Sequence, residues 1–278
     1  MPSTLSSLSV SAMDRERRYY LSGPFWEVAC RSVPDVRCLR VLHVLVHAVC
    51  RTLESWHGTQ SLQPAEGYME RSNVLRARMG QPGSRDNRAL AAGLKDLEAA
   101  GLVEWSAFHH GGEWCAWRLP DAFFDLLFDG TAYGLFDIGW LPGLETDLDL
   151  ALHGWLGLRR RMRRPEWEIN LGPLAAHCGR SADWTRLRPA MTRSLQRLAR
   201  LWSARFLVVL MCEGRRRGID TLLLRMTHSQ TLWRRDQLGQ IPVHGRKVLM
   251  IDAARCVDVG TRDVPMKLEQ AFRPVNGG

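Results

Sequence analysis

Lysine is nearly missing from this chain: of 38 cationic side chains only Lys95, Lys247 and Lys267 are lysines, and the rest are arginine. No apolar run approaches the roughly 20 residues of a membrane span, so no membrane partner is expected. The opening residues Met1-Pro2-Ser3-Thr4-Leu5-Ser6-Ser7-Leu8 lack the charged head and long apolar stretch of a secretion signal. The seven cysteines are odd in number and contain no Cys-x-x-Cys. That pattern argues against a disulfide framework and for reduced thiols in a cytoplasmic protein. Phosphate-cradling loops of the Gly-x-x-x-x-Gly-Lys-Ser/Thr and Gly-x-Gly-x-x-Gly kinds do not occur, nor do Gly-x-Ser-x-Gly or His-Glu-x-x-His. No cofactor, no metal and no enzymatic activity are expected.

What the chain does have is length, charge and a repeat. Its 278 residues, 45% of them hydrophobic, suffice for two small domains with filled cores. The net charge of +9 and a pI near 9.6 favour a polyanionic partner, nucleic acid before membrane. The preference for arginine carries less weight, since a GC-rich coding sequence produces it too.

Two stretches follow one plan. In the first, a helix over 71–79 leads through Gln81-Pro82-Gly83 to a second helix over 84–100, with Ser84 as its N-cap and Gly101 at its end. A hairpin of Val103-Glu104-Trp105 and Trp114 to Leu119 follows, with Gly111-Gly112 at the tip. In the second, Leu174 to Gly179 closes a short helix, and a long basic helix runs to Leu201. Strands Phe206 to Leu210 and Ile219 to Leu224 come next, joined by Gly214-Arg215-Arg216-Arg217-Gly218. Helix, turn, helix and hairpin, repeated, is the pattern of tandem winged-helix domains. Each unit opens with another helix, over 36–53 with Leu39, Leu42, Val46, Val49 and Leu53 on one face, and over 147–162. A further helix is expected over 120–129, a short strand over 166–171 and another over 247–251.

The fold class is therefore α+β, mostly helical, with two tandem winged-helix domains joined by a helix and a Gly/Pro-rich linker. The expected division is a tail over 1–14, a first domain over 15–129, a linker over 130–146, a second domain over 147–227 and an extension over 228–278.

The long helix of the second unit carries the clearest chemistry. At 100° per residue Leu187, Met191, Leu195, Leu198 and Trp202 share about 80° of arc, which makes them the buried stripe. Arg193, Gln196, Arg197 and Arg200 fall opposite, with Arg186 joining if the helix starts before Pro189. Arginine can pair bidentately with guanine, and glutamine with adenine, in a major groove. Taken alone, such a face reads rather as a solvated cationic surface; the winged-helix context turns the reading to the groove. Arg215, Arg216 and Arg217 at a glycine-bounded tip suit phosphate or minor-groove contact. In the first unit, Arg85, Arg88 and Lys95 face outward beside Asp96, a less basic surface that fits either DNA-backbone contact or protein contact.

Other constellations were weighed as sites. His43 and His47 stand at i, i+4, the geometry of a metal pair, yet among Val41, Leu42, Val44, Leu45 and Val46 they read as core histidines. His109, His110 and Cys115 lack a fourth ligand at sensible spacing. Asp147 and Asp149 read as acids at a helix N-terminus. Tyr19-Tyr20 has no accompanying His-hydrophobic-His metal motif for strand nicking.

The runs Asp149 to Leu156, Ile169 to Leu174 and Arg186 to Leu198 together resemble the C-terminal winged helix of replication initiators of iteron-type plasmids. The resemblance is one of pattern, and spans about residues 36 to 226. It implies two winged helices in tandem, binding of directly repeated origin sequences, and a recognition face at Arg193, Gln196, Arg197 and Arg200 with a wing at Arg215 to Arg217. It implies backbone contacts and dimerisation by the first domain, origin firing as a monomer, self-repression as a homodimer, and recruitment of a host replication helicase. The first hairpin, without a basic tip, and the residues after Thr227 depart from the family pattern. A tandem winged-helix transcriptional repressor and a structural subunit of a chromosome-organising complex remain the alternatives.

Overall fold

The computed structural model describes residues 16–33, 35–54, 63–128, 133–162, 165–212, 218–228 and 245–259. The first unit contains β1 (Arg18–Ser22), α1 (Gly23–Ser32), α2 (Val36–Glu54), β2 (Tyr68–Arg71), α3 (Ser72–Arg78), α4 (Arg88–Ala99), β3 (Trp105–His109), β4 (Trp114–Arg118) and α5 (Asp121–Leu127). Next comes β5 (Tyr133–Asp137) with a 3-10 turn over Ile138–Gly143. The second unit contains α6 (Asp147–Gly157), β6 (Glu166–Asn170), α7 (Leu171–His177), α8 (Trp184–Trp202), β7 (Ala204–Met211) and β8 (Thr221–His228). Strands β9 (Gly245–Ile251) and β10 (Cys256–Asp258) follow.

Both units repeat the series long helix, strand, short helix, long helix, hairpin. The first has sheet order β2-β4-β3, and the second contains the equivalent β6-β8-β7. Three features differ from the sequence expectations. First, α4 starts at Arg88 after Asn87, and not at Ser84. The Ser84 carbonyl accepts from Arg76 Nε at 2.9 Å, which keeps that residue in the turn. Second, α6 ends at Gly157, and Leu158 to Met162 continue as hydrogen-bonded turns rather than as helix. Third, the described part of the expected linker is packed structure. Its strand β5 pairs antiparallel with β1, Tyr19 opposite Phe136, and Phe136, Ile138, Leu141 and Leu144 are buried. Glycines and prolines there serve a tight strand-to-turn path, and their composition alone does not distinguish that from a flexible joint.

Among the described residues one apolar core runs through both units, and a smaller cluster around Leu207, Val209, Val248 and Met250 is separate from it. At its centre the opening helices α2 and α6 pack on each other, and each is buried on nearly all sides. The apolar stripe legible in α2 is thus only part of its buried surface. A Cβ on Gly154 of α6 would overlap the Trp26 ring, and one on Gly93 of α4 would overlap Val41 of α2. The helices approach as closely as they do because these positions have no side chain. Arg40 stitches the same region, its Nη1 donating to the carbonyls of Leu141 at 2.7 Å and Met79 at 3.2 Å.

His43 and His47 lie inside this core, 1% exposed each. His43 Nδ1 and Tyr19 Oη are hydrogen-bonded at 2.6 Å, and His47 Nε2 bonds the Glu16 carbonyl at 2.9 Å. His153 of α6 sits 5.5 Å from His43 between ring centroids, with no hydrogen-bond partner for either nitrogen among the described residues. Burial, assisted by Arg40, lowers the His43 pKa to about 3; burial and Arg78 lower that of His47 to about 4. The His153 pKa is also lowered well below its ordinary value, by burial first and then by His43. Each is neutral when folded and takes up a proton more readily when unfolded. Their contribution to stability is therefore intact above about pH 6.5 and is lost as the pH falls toward 4. Each should add a slope of about 1.4 kcal/mol per pH unit in that window. Urea unfolding at pH 7.5, 6 and 5 measures it, and His43→Gln should flatten the slope.

Candidate nucleic-acid interface

Helix α8 is held at both ends. Asp183 caps it, its carboxylate accepting from Thr185 N at 2.8 Å, and Ser203 at φ +49° turns the chain sharply into β7. Gly179 at φ +59° ends α7 before it, completing the helix–turn–helix. Pro189 lies within α8, exposed, so its missing N–H leaves only the Thr185 carbonyl, also exposed, to water. The helix therefore does start before Pro189, and Arg186 belongs to its surface.

Leu187, Met191, Leu195, Leu198 and Trp202 are buried as the spacing predicts, with Ser194 and Ala199 beside them. On the far side Arg186, Arg193 and Arg200 are exposed. Seven residues apart, they form a row that drifts only about 20° per step. Gln196 is half-buried at the edge of this row. Arg200 Nη2 also donates to the Ala253 carbonyl at 3.4 Å.

Arg197 is placed differently. Its guanidinium turns to the opening of α6, pairing with Glu145 at 2.7 Å and with Asp149 at 3.4 Å. The Asp149 carboxylate is fully buried and accepts from the backbone N–H groups of Glu145 and Thr146, each at 2.8 Å, as half of a capping box with Thr146. The arginine expected to read a groove thus bolts α8 to α6. Thr146-x-x-Asp149 is legible as a cap; that its acid also takes an arginine from α8, 48 residues later, is not. At the other end of α8, Trp202 packs near His153 and Trp140, and Arg160 lies over the rings of Trp140 and Trp202 at 4.3 and 5.5 Å.

Arg215, Arg216 and Arg217 lie outside the described residues. The strands on either side of them pair as far as Met211 opposite Thr221. In the first unit Arg85, Arg88 and Lys95 are exposed, and Arg88 pairs with Asp86. That hairpin is tied to the start of α4 by Asn87, which accepts from Arg76 and donates to the Gly112 carbonyl at 2.8 Å. Its tip residues His109 and His110 are exposed whereas Cys115 is buried on the core side, so the three do not converge. Tyr19 is enclosed, and Tyr20 stacks edge-on with Tyr133 at the surface. No helix among the described residues is long and apolar enough to cross a membrane.

No protein-family model and no curated protein matches the chain. A solved structure does: the Pi initiator protein in complex with iteron DNA, with a TM-score of 0.57 and 12% identity, over 78% of this chain and 99% of that one. This chain has the fold of that initiator. At 12% identity the likeness lies in the arrangement of elements rather than in shared side chains.

Proposed function

We propose that this chain is a sequence-specific double-stranded DNA-binding protein that initiates plasmid replication at directly repeated sites. The observation that carries the reading is the exposed Arg186–Arg193–Arg200 row on α8, in the fold of a protein solved on iteron DNA. Arg186 and Arg193 reach base edges, where arginine pairs with guanine. Arg85, Arg88 and Lys95 of the first unit, spanning 15–129, contact the sugar-phosphate backbone, as do Arg215 to Arg217 of the second, spanning 147–227. Arg197 supports the helix and does not read sequence. A homodimer form and recruitment of a host helicase belong to the same reading.

Selection of bound duplexes from a random pool at near-physiological salt tests it. One motif should be enriched and should recur as direct repeats beside the gene. A single palindrome would instead indicate a repressor. Salt-sensitive binding without any enrichment would indicate a structural subunit.

A further inference from the structure

The six-residue 3-10 turn Ile138–Gly143 touches the helix–turn–helix of both units. In the first unit the chain turns at Gly80, φ +90°, between α3 and α4. Pro142 lies so near that a Cβ on Gly80 would stand 3.0 Å from the Pro142 Cα. In the second unit Leu201, in the last turn of α8, covers Gly143, where a Cβ would come within 2.8 Å of Leu201 Cδ2. Trp140 meets the neighbouring Trp202, their ring centroids 6.1 Å apart.

Polar bonds grip the same piece of chain from both units. Arg40 of α2 donates from Nη1 to the carbonyl of Met79, the residue before Gly80, at 3.2 Å, and to that of Leu141 at 2.7 Å. Its Nη2 donates to the Leu144 carbonyl. One guanidinium therefore ties the first helix–turn–helix to the turn and to its exit. Directly beyond Leu144, Glu145 and Asp149 take Arg197 of α8 at 2.7 and 3.4 Å. Leu141 and Leu144 are buried between these anchors. Domains that meet through small polar contacts reorient freely, whereas a shared apolar core with bonded flanks holds them in one arrangement.

We propose that the Ile138–Gly143 turn, held by Arg40, is a spacer that fixes the distance and rotation between the two helix–turn–helix elements. With α8 seated on its bases, the first unit then meets the same few phosphates every time. Arg40 touches no DNA in this arrangement; it is a positioning residue. The spacer rests on the DNA-binding reading above and adds to it a fixed register between the two units on one duplex.

Hydroxyl-radical footprinting of the full chain on the duplex enriched from the random pool tests the spacer. The wild type should protect the motif and a second, narrow patch at one fixed distance from it. Uncharged methylphosphonate at a phosphate contacted in the second patch should reduce the slope of log K against log salt by about 0.9, and have no effect one or two positions away. Arg40→Met and Pro142→Gly should keep the motif protected while the second patch spreads, so that no single methylphosphonate produces the full change. Lost stability alone would fade both patches in step and leave their ratio unaltered. Pro142 is exposed, so its variant serves if Arg40→Met folds poorly. A second patch that stays narrow in both variants, that fades only in step with the motif, or that the wild type lacks would overturn the spacer while leaving the DNA reading intact. A wild-type chain that enriches no motif would overturn both.

Discussion

Replacing Arg186 and Arg193 together by alanine is expected to weaken binding to the selected site by about 2–6 kcal/mol, on the order of 10²–10⁴-fold. Both side chains are exposed on the outward row of α8, so unfolding should be almost unchanged. Base preference should relax at the positions they read, because a lost bidentate contact removes discrimination as well as affinity. Arg197→Ala is the informative contrast. It strips the buried Asp149 carboxylate of its guanidinium and leaves it two backbone donors. The expected loss is about 1–3 kcal/mol of stability, with the sequence preference of the folded protein retained. Unfolding midpoints and a binding matrix over single-base variants of the site separate the two. A relaxed preference in Arg197→Ala with normal stability would return that residue to the reading face.

The second large effect is expected at the contact between the units. Gly154→Val should lower stability by at least about 3 kcal/mol, because a side chain there overlaps Trp26, itself fully enclosed. Helix propensity works the other way, any ordinary residue being better than glycine in a helix interior, by up to about 1 kcal/mol for alanine. A net loss therefore isolates the packing term. Trp26→Ala alone should cost about 3–5 kcal/mol through the cavity it leaves. The double variant should lose clearly less than the two losses combined, since each change relieves the defect created by the other. Urea unfolding of the three proteins gives the coupling, and simple additivity would mean that Gly154 and Trp26 are not in contact.

Much of the architecture could be read from periodicity and punctuation. Leu187 to Trp202 at helical spacing located the buried side of α8, and the alternation around Trp114 to Leu119 located β4. Patterns of this kind are local, and burial of one face is enough to produce them. Strand β1 escaped because five residues between a charged lead and α1 show no independent alternation, and they become a strand only by pairing with β5, more than a hundred residues later. Strand β10, three residues long, is defined by β9 in the same way. Ser84 was legible as a cap by residue type, but Arg76 claims its carbonyl and the helix starts at Arg88.

By itself, then, the amino-acid sequence determined that there are two like units, which side of α8 is buried, that Arg193 faces outward, and that the chain is strongly basic. Those properties follow from near-neighbour spacing and from total charge, neither of which needs long-range contacts. The tertiary structure alone decided that Arg197 is a bolt onto α6, that the Gly/Pro-rich segment is packed strand and turn, and that strand β9 packs beside α8. Each of those depends on which group meets a side chain from far along the chain, and an arginine on the rim of a helix face has the same spacing whether its anion is a phosphate or a buried carboxylate.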